Sequence, residues 1–505
     1  ILLIVLITLL SWGFSFPVKA DINTEQTPQV IEPYLAGFKK RITQFRLKNG
    51  IEFIVLENHK APVVSFVTYA NVGGVEEPEG KTGVAHFLEH LAFKGTDKIG
   101  TINYPAEKKL LDRLDQIFEQ IKAAKAQGNK ERIASLEQEF QKLQSKAQKL
   151  VKQNEFGQIV ETAGGVGINA ATSYDYTMYY YSFPANKVEL WMSLESERFL
   201  KPVFREFYVE KQVILEERRL RNDNSPIGKM IEAFLATAFT THPYKRPVIG
   251  YEEDINNLTR RDVQEFFDTY YIPANLTIAI AGDVQPAKIK QLAEVYFGRF
   301  TTKPQPEVDI PSEPPQTEMR EVSLTLPAQP WYLEGYHRPA LNHPDNAVYS
   351  VMTTILSSGR TSRLYKSLVE QQQLALSAQG STNFPGDKYP NLMLFYALTA
   401  PNHTVEEVAT ALQTEIDKLK NELVSETELT RAKRQIQADV LRNLDSNLGM
   451  ARLLAQYQAK TGDWRQIFTE LEAISQVTAA DIQRVAQTTF TAENRTVGKL
   501  LSSAK

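Results

Sequence analysis

The chain has 505 residues, 42% of them hydrophobic and 10% aromatic, which is enough to bury the cores of two or more domains. A net charge of −3 leaves no basic excess to neutralise phosphates and argues against a nucleic-acid binder. With no cysteine, disulfides and cysteine-ligated zinc are excluded, and the absence fits an oxidising compartment.

From Ile1 to Phe16 the residues are largely apolar and carry no charge, and Val18-Lys-Ala20 offers a small-residue site for cleavage before Asp21. The run is short for a membrane span. Residues 1–20 are therefore expected to be a secretory signal, with an uncleaved anchor and then a buried core helix as the alternatives. Residues 21–40 read as a polar connecting segment. Folding is expected to begin in Arg46-Leu-Lys-Asn-Gly-Ile-Glu-Phe-Ile-Val-Leu56, where Asn49-Gly50 is a hairpin signal. Val63 to Ala70 reads as a second strand.

The loop-like Gly74-Val-Glu-Glu-Pro-Glu-Gly80 leads into Val84-Ala-His-Phe-Leu-Glu-His-Leu-Ala-Phe-Lys-Gly-Thr96. Residues four apart on a helix share a face, so His86 and His90 can both turn a ring nitrogen to one metal ion, with Phe87, Leu88 and Leu91 as core. Glu89 then stands beside that ion. A metal with three protein ligands keeps one position for a water, whose pKa falls to about 7, and a nearby unbound carboxylate can take its proton. The pattern predicts hydrolytic chemistry.

Between residues about 105 and 155 the apolar positions take a heptad-like rhythm. Leu110, Leu114, Ile117 and Ile121 form one series, and Ile133, Leu136, Phe140, Leu143, Ala147 and Leu150 the other, divided by Ala126-Gln-Gly-Asn-Lys130. An antiparallel helical hairpin is expected, serving either as an assembly or docking arm or as a passive excursion. The following Gly164-to-Phe183 stretch is rich in β-branched and aromatic residues and reads as strand. Five prolines mark a linker over 302–317. The stretches around it repeat: Leu258-Thr-Arg-Arg-Asp-Val-Gln264 matches Val477-Thr-Ala-Ala-Asp-Ile-Gln483, and Asn275-Leu-Thr277 matches Asn494-Arg-Thr496, at one common interval of 219 residues.

His86, Glu89 and His90, in H-x-x-E-H order, resemble the pitrilysin and mitochondrial processing peptidase family of zinc peptidases, the inverzincins, in its short two-domain bacterial type. That family completes its zinc site with a distant glutamate ending an E-x-x-x-x-x-x-E segment, and this chain reads Glu210-Lys-Gln-Val-Ile-Leu-Glu-Glu217. Seven residues is about two helical turns, so Glu210 and Glu217 share a face. On its charge pattern alone the segment reads as a solvated helix face. The resemblance implies instead that Glu217 is the third ligand of one Zn(2+) per chain, that Glu210 supports a ligand or the water, and that Glu216 is the competing neighbour. Glu217 follows His90 by 127 residues, much more than is usual in that family, so the hairpin is an insertion. Asn169, Ala170, Ala171 and Thr172 resemble the family's substrate-binding edge strand, the alternative being an ordinary internal strand. The family also uses an Arg and a Tyr seven residues apart, just after a segment like Ser362-Arg-Leu364. Here those positions hold Val369 and Leu376, whose side chains donate no hydrogen bond.

The expected fold is α+β, with two homologous α/β sandwich domains joined by the Pro-rich linker and the hairpin inserted in the first. The division runs 41–301 for the zinc-binding domain, 302–317 for the linker and 318–505 for a second domain without the motif. The expected activity is that of a zinc metalloendopeptidase, exported to the periplasm or the extracytoplasmic face of a bacterial membrane, that cleaves peptides or unfolded proteins added as an edge strand. Glu89 and Glu210 are its catalytic carboxylates, and His86, His90 and Glu217 its ligands. The expected partner is a paralogue that lacks the zinc motif and supplies Arg and Tyr in a heterodimer. No nucleic acid is expected, and a membrane only through an uncleaved leader. The alternatives are a non-catalytic core or assembly subunit of the same fold, and a scaffold acting through the hairpin.

Overall fold

The computed structural model describes residues 37–503, so the expected signal and nearly all of the connecting segment lie outside the described residues. The first sheet consists of β1 (Ile42–Arg46), β2 (Glu52–Glu57), β3 (Val63–Ala70), β4 (Val166–Thr172), β5 (Thr177–Pro184) and β6 (Leu276–Gly282), in the order β1-β2-β6-β3-β5-β4. The second consists of β7 (Arg320–Leu326), β8 (Trp331–Arg338), β9 (Ala375–Phe384), β10 (Asn391–Thr399) and β11 (Arg495–Ser502), in the order β7-β11-β8-β10-β9. Among the described residues only β2 with β6 and β7 with β11 run parallel. Leaving out β1, the two orders match strand for strand, as two copies of one α+β unit require. The stretch expected as a single strand over Gly164 to Phe183 is a hairpin, turning between Thr172 and Thr177 to form β4 and β5.

The helices that position the site are α1 (Val84–Leu91), α2 (Tyr104–Ala126), α3 (Lys130–Gln148), α4 (Val188–Leu200), α5 (Phe207–Arg218), α6 (Pro226–Ala238) and α7 (Arg260–Tyr270). From the second half come α8 (Asn447–Thr461), α9 (Gln466–Gln476) and α10 (Ala479–Thr489). The sequence repeat has a physical basis in α7 and α10. Each begins with a capping box, Thr259 with Asp262 and Thr478 with Asp481. Each is followed by an asparagine, Asn275 or Asn494, whose amide donates to a carbonyl five residues back, of Tyr270 or Thr489.

One face of the first sheet packs on its own helices, with Phe66 stacked on Trp191 of α4 at 4.3 Å. The other face, Ile54, Leu56, Val67, Tyr69, Ala279 and Ala281, is covered by Met450, Ala451 and Leu454 of α8 and Phe468 of α9. The second sheet is closed in return by Met230, Phe234 and Leu235 of α6. There Gly335 and Gly498 make room, since a Cβ on either would come within 2.9 Å of the Phe234 ring or the Met230 methyl. Each half thus lends a helix to the other half's sheet. Burial on both faces explains why β2 and β3 are nearly continuous apolar runs without clean alternation.

The inserted hairpin is α2 and α3, zipped by Leu111, Leu114, Ile117, Ile121, Leu136 and Ala147, with Phe140 and Leu143 partly buried. Leu111 takes the buried position and Leu110 only flanks it, because the face that docks on the body is wider than the seam alone. The hairpin lies against α5. Tyr208 packs between Phe118 and Phe140 and donates to Asp115, while Arg260 bridges Asp112 and Asp115. At the root of α2 the buried Glu107 accepts from Arg205, itself buried. No helix among the described residues is long and apolar enough to cross a membrane.

Removing one partner of a buried ion pair leaves an uncompensated charge, which costs about 3–5 kcal/mol. Glu107→Ala should therefore lower the unfolding free energy by about that much in urea titrations, and a change under about 1 kcal/mol would show that Arg205 finds other compensation.

Candidate metal centre

The short helix α1 opens at Gly83, whose φ of 87° and close approach to Ile249 and Gly250 leave no room for a side chain, so it cannot cap itself. The cap comes from the preceding loop. Glu77 accepts the amides of Gly83 and Ala85 on its two oxygens, at 2.9 Å each. Burial pushes its carboxyl up to about 8, against those two amide bonds and the nearby Arg246 charge.

On α1 the His86 and His90 rings lie 4.8 Å apart, edge to face. Across from them α5 presents Glu217, with Oε1 at 3.7 Å from His86 Nε2 and Oε2 at 3.5 Å from His90 Nε2. One donor atom from each of the three residues lies within 4.8 Å of the others. Ligands at zinc bond lengths of about 2.0–2.2 Å sit about 3.3–3.6 Å apart around a tetrahedron, so this trio fits a metal with little adjustment. Glu216, the neighbour in sequence, is exposed and pairs with Arg219.

Burial and the adjoining His90 push His86 down to about 3, so its imidazole is neutral, as a ligand requires. Burial acts to lower His90 too, but hydrogen bonds to Glu210 and Glu217 and their charges outweigh it and raise the ring to about 9. Burial works against the Glu217 carboxylate, yet His90, His86 and Arg221 hold it down at about 2. Glu210 stands behind His90, with Oε2 at 3.3 Å from Nδ1 and Oε1 accepting from Lys94 at 2.5 Å. A carboxylate so placed could steady the imidazole if it held a metal.

Glu89 lies outside the donor trio. Burial raises its carboxyl, and the Thr172 hydroxyl, which donates to Oε2, acts in the opposite direction. Thr172 ends β4, in which Asn169, Ala170, Ala171 and Thr172 pair with Tyr180, Tyr179, Met178 and Thr177 of β5. No strand pairs with the other edge of β4 among the described residues. Beside His90 and Glu89 a cavity of about 300 Å³ is walled by Lys94, Gln153, Asn154 and Glu206. Asn154 and Glu206 hold φ of 52° and 56°, left-handed values that cost non-glycine residues energy and concentrate at functional sites. In the second half, Val369 is half-buried against the core and Leu376 is exposed at the start of β9.

Sequence reasoning did not find Glu77, Lys94, Arg205 or Arg221, which pairs with Glu217 Oε1 at 2.6 Å. The available signal was slight. Arg221 follows Glu217 by four residues, an ordinary ion-pair spacing, whereas Lys94 pairs with Glu210, 116 residues away, where no spacing rule applies.

Known proteins resemble this chain over most of its length. A model described as Insulinase (Peptidase family M16) matches residues 53–107 and 149–252, and one described as Peptidase M16 inactive domain matches 257–436. The gap in the first match coincides with α2 and α3. The zinc protease PqqE of Helicobacter pylori is 29% identical over 457 residues, covering 88% of this chain and 89% of that protein. The "Probable mitochondrial-processing peptidase subunit beta, mitochondrial" of Arabidopsis thaliana is 24% identical, covering 90% of this chain and 76% of that one. Among solved structures, a protease from Helicobacter pylori superposes with a TM-score of 0.76 at 28% identity, covering 91% of this chain and 99% of that chain. The periplasmic protease PqqL from Escherichia coli shares the fold at a TM-score of 0.68 and 16% identity, covering 92% of this chain and 48% of that chain.

Capping by Glu77 is open to test. Glu77→Ala leaves two buried amides without acceptors, at about 1–3 kcal/mol each, so both thermal stability and metal retention should fall. Unchanged values for both in thermal unfolding with and without added zinc would remove Glu77 from the site.

Proposed function

Because the chain belongs to the M16 family of zinc peptidases, we propose that it is an exported zinc-dependent endopeptidase holding one Zn(2+) on His86, His90 and Glu217. The observation that carries this reading is the convergence of those three donors with a further carboxylate, Glu89, outside the trio. A zinc ion there would acidify a water and polarise the scissile carbonyl. The residues of the chain do the rest. A peptide adds along the open edge of β4, its main chain pairing with main chain, so that binding depends little on side chains. Glu89 takes the proton of the attacking water on Oε1, since Oε2 is engaged by Thr172, and passes it to the departing amine. Glu210 holds His90 through Nδ1, and Lys94 in turn holds Glu210.

The second half is expected to bring no donor to the oxyanion, because Val369 and Leu376 stand at the positions of interest. We read the chain as the catalytic subunit of a heterodimer whose zinc-motif-lacking paralogue supplies Arg and Tyr. A non-catalytic core subunit of the same fold is the competing reading. It draws on the match of residues 257–436 to a domain described as inactive, and it is answered by metal content and turnover.

Three substitutions test the assignment. Glu217→Gln should release zinc, Glu216→Gln should keep it, and Glu89→Gln should keep it while kcat falls by about a hundredfold or more. Full zinc occupancy in Glu217→Gln, read by metal analysis of purified protein, would sink the ligand set.

The heterodimer has its own test. One missing oxyanion donor costs about a hundredfold to a thousandfold in rate, so peptide hydrolysis should rise steeply when the paralogue is added and fall when its Arg or Tyr is removed. A preparation of this chain alone that equals the mixture in turnover would refute the pairing.

A further inference from the structure

We infer that Thr172 is a positioning residue that keeps Glu89 off the metal, so that the edge strand which receives the substrate also holds open the position where the water sits. The inference rests on the proposed function. Its starting point is geometric. Glu89 precedes His90 by one residue on α1, and its half-buried carboxylate lines the same cavity as His90 and lies near the Glu217 carboxylate. Such a group is itself a competent zinc ligand. If it swung into the trio, four protein ligands would close the site in the manner of structural zinc, with no place for a water.

What holds Glu89 away is small. The bond from Thr172 is the one side-chain hydrogen bond that Glu89 makes among the described residues. Thr172 is in turn fixed, because it pairs with Thr177 where the β4–β5 hairpin turns, and α1 packs on β4. A threonine hydroxyl has one proton to give, and here it is given to Glu89 Oε2. Among the described residues the opposite edge of β4 is open, so a peptide added there would order the strand that carries the tether. Substrate pairing and placement of the base are thereby coupled through one hydroxyl.

The inference has an unusual signature, because removing the tether should improve metal binding while it impairs turnover. Thr172→Val keeps the β-branched shape and strand preference and deletes the donor, whereas Thr172→Ser keeps the donor. Zinc affinity is measured by competition with a chromophoric chelator, coordination by the visible spectrum of the cobalt(II)-substituted protein, and kcat and KM on a fluorogenic peptide, with the partner present if one is required. In Thr172→Val, zinc affinity should rise by about tenfold and the cobalt spectrum should change. In the same variant kcat should fall about tenfold to a hundredfold with KM within about twofold. Thr172→Ser should return all of these toward wild type. Zinc affinity in Thr172→Val that is unchanged or weaker, with an unaltered cobalt spectrum, would overturn the inference, as would a serine variant that behaves like the valine one. Should the wild-type protein, fully loaded with zinc, cleave no peptide alone or with a partner, the proposed function fails by itself, and the zinc and cobalt measurements still decide the tether.

Discussion

The packing of α1 on α5 is the constraint on which the site depends. The buried rings of Phe87 and Phe207 stack at 4.5 Å with 11° between their planes, and that contact sets the separation across which His86 and His90 meet Glu217. The entry to α5 is held just as firmly. Arg205 is buried, and its guanidinium reaches the carbonyls of Lys94, Thr96 and Ile99 and both oxygens of Glu107. A guanidinium out of water is tolerable only when its N–H groups are all engaged and its charge is met, and both conditions hold here. The loop leaving α1, the root of the hairpin and the start of α5 are thereby tied at one point.

Charge at the centre follows the same logic. His90 lies between Glu210 and Glu217, and the surplus negative charge is met by Lys94 on one side and Arg221 on the other. A metal held there would take the place of a proton on His90 and compete with Arg221 for Glu217, so that its binding would release a proton and rearrange one ion pair. The hairpin reaches this centre only indirectly. Its contact with Tyr208 braces the outer side of α5, the helix whose inner side bears Glu210 and Glu217, and its contacts with Arg260 tie it to α7.

Duplication gave both halves the same sheet, but the exchange of helices makes them dependent on each other. The face of β3 and β6 turned away from α4 is covered by α8 and α9, and the face of β8 and β10 by α6, so neither sheet is fully covered by its own half. Among the described residues the histidine and glutamate trio occurs in the first half alone. The second half contributes to the geometry of the site by closing the sheet on which it is built.

Much of this was legible without coordinates, for reasons that are local. Two histidines four apart share a helical face whatever surrounds them, two glutamates seven apart share another, and the Thr-x-x-Asp caps recurring at one interval announce a duplicated unit. The heptad rhythm of α2 and α3 specified a hairpin, because its seam is satisfied within the segment. Tertiary structure decided which carboxylate of the Glu216–Glu217 pair faces the histidines, since that depends on how α5 is rotated against a helix more than a hundred residues earlier. It also decided that Glu77 caps α1 from a loop, that Thr172 reaches Glu89, and that Arg205 is buried with its acceptors around it. Spacing rules speak for residues within two turns of one another, whereas these contacts join distant segments whose meeting is set by the shape of the core.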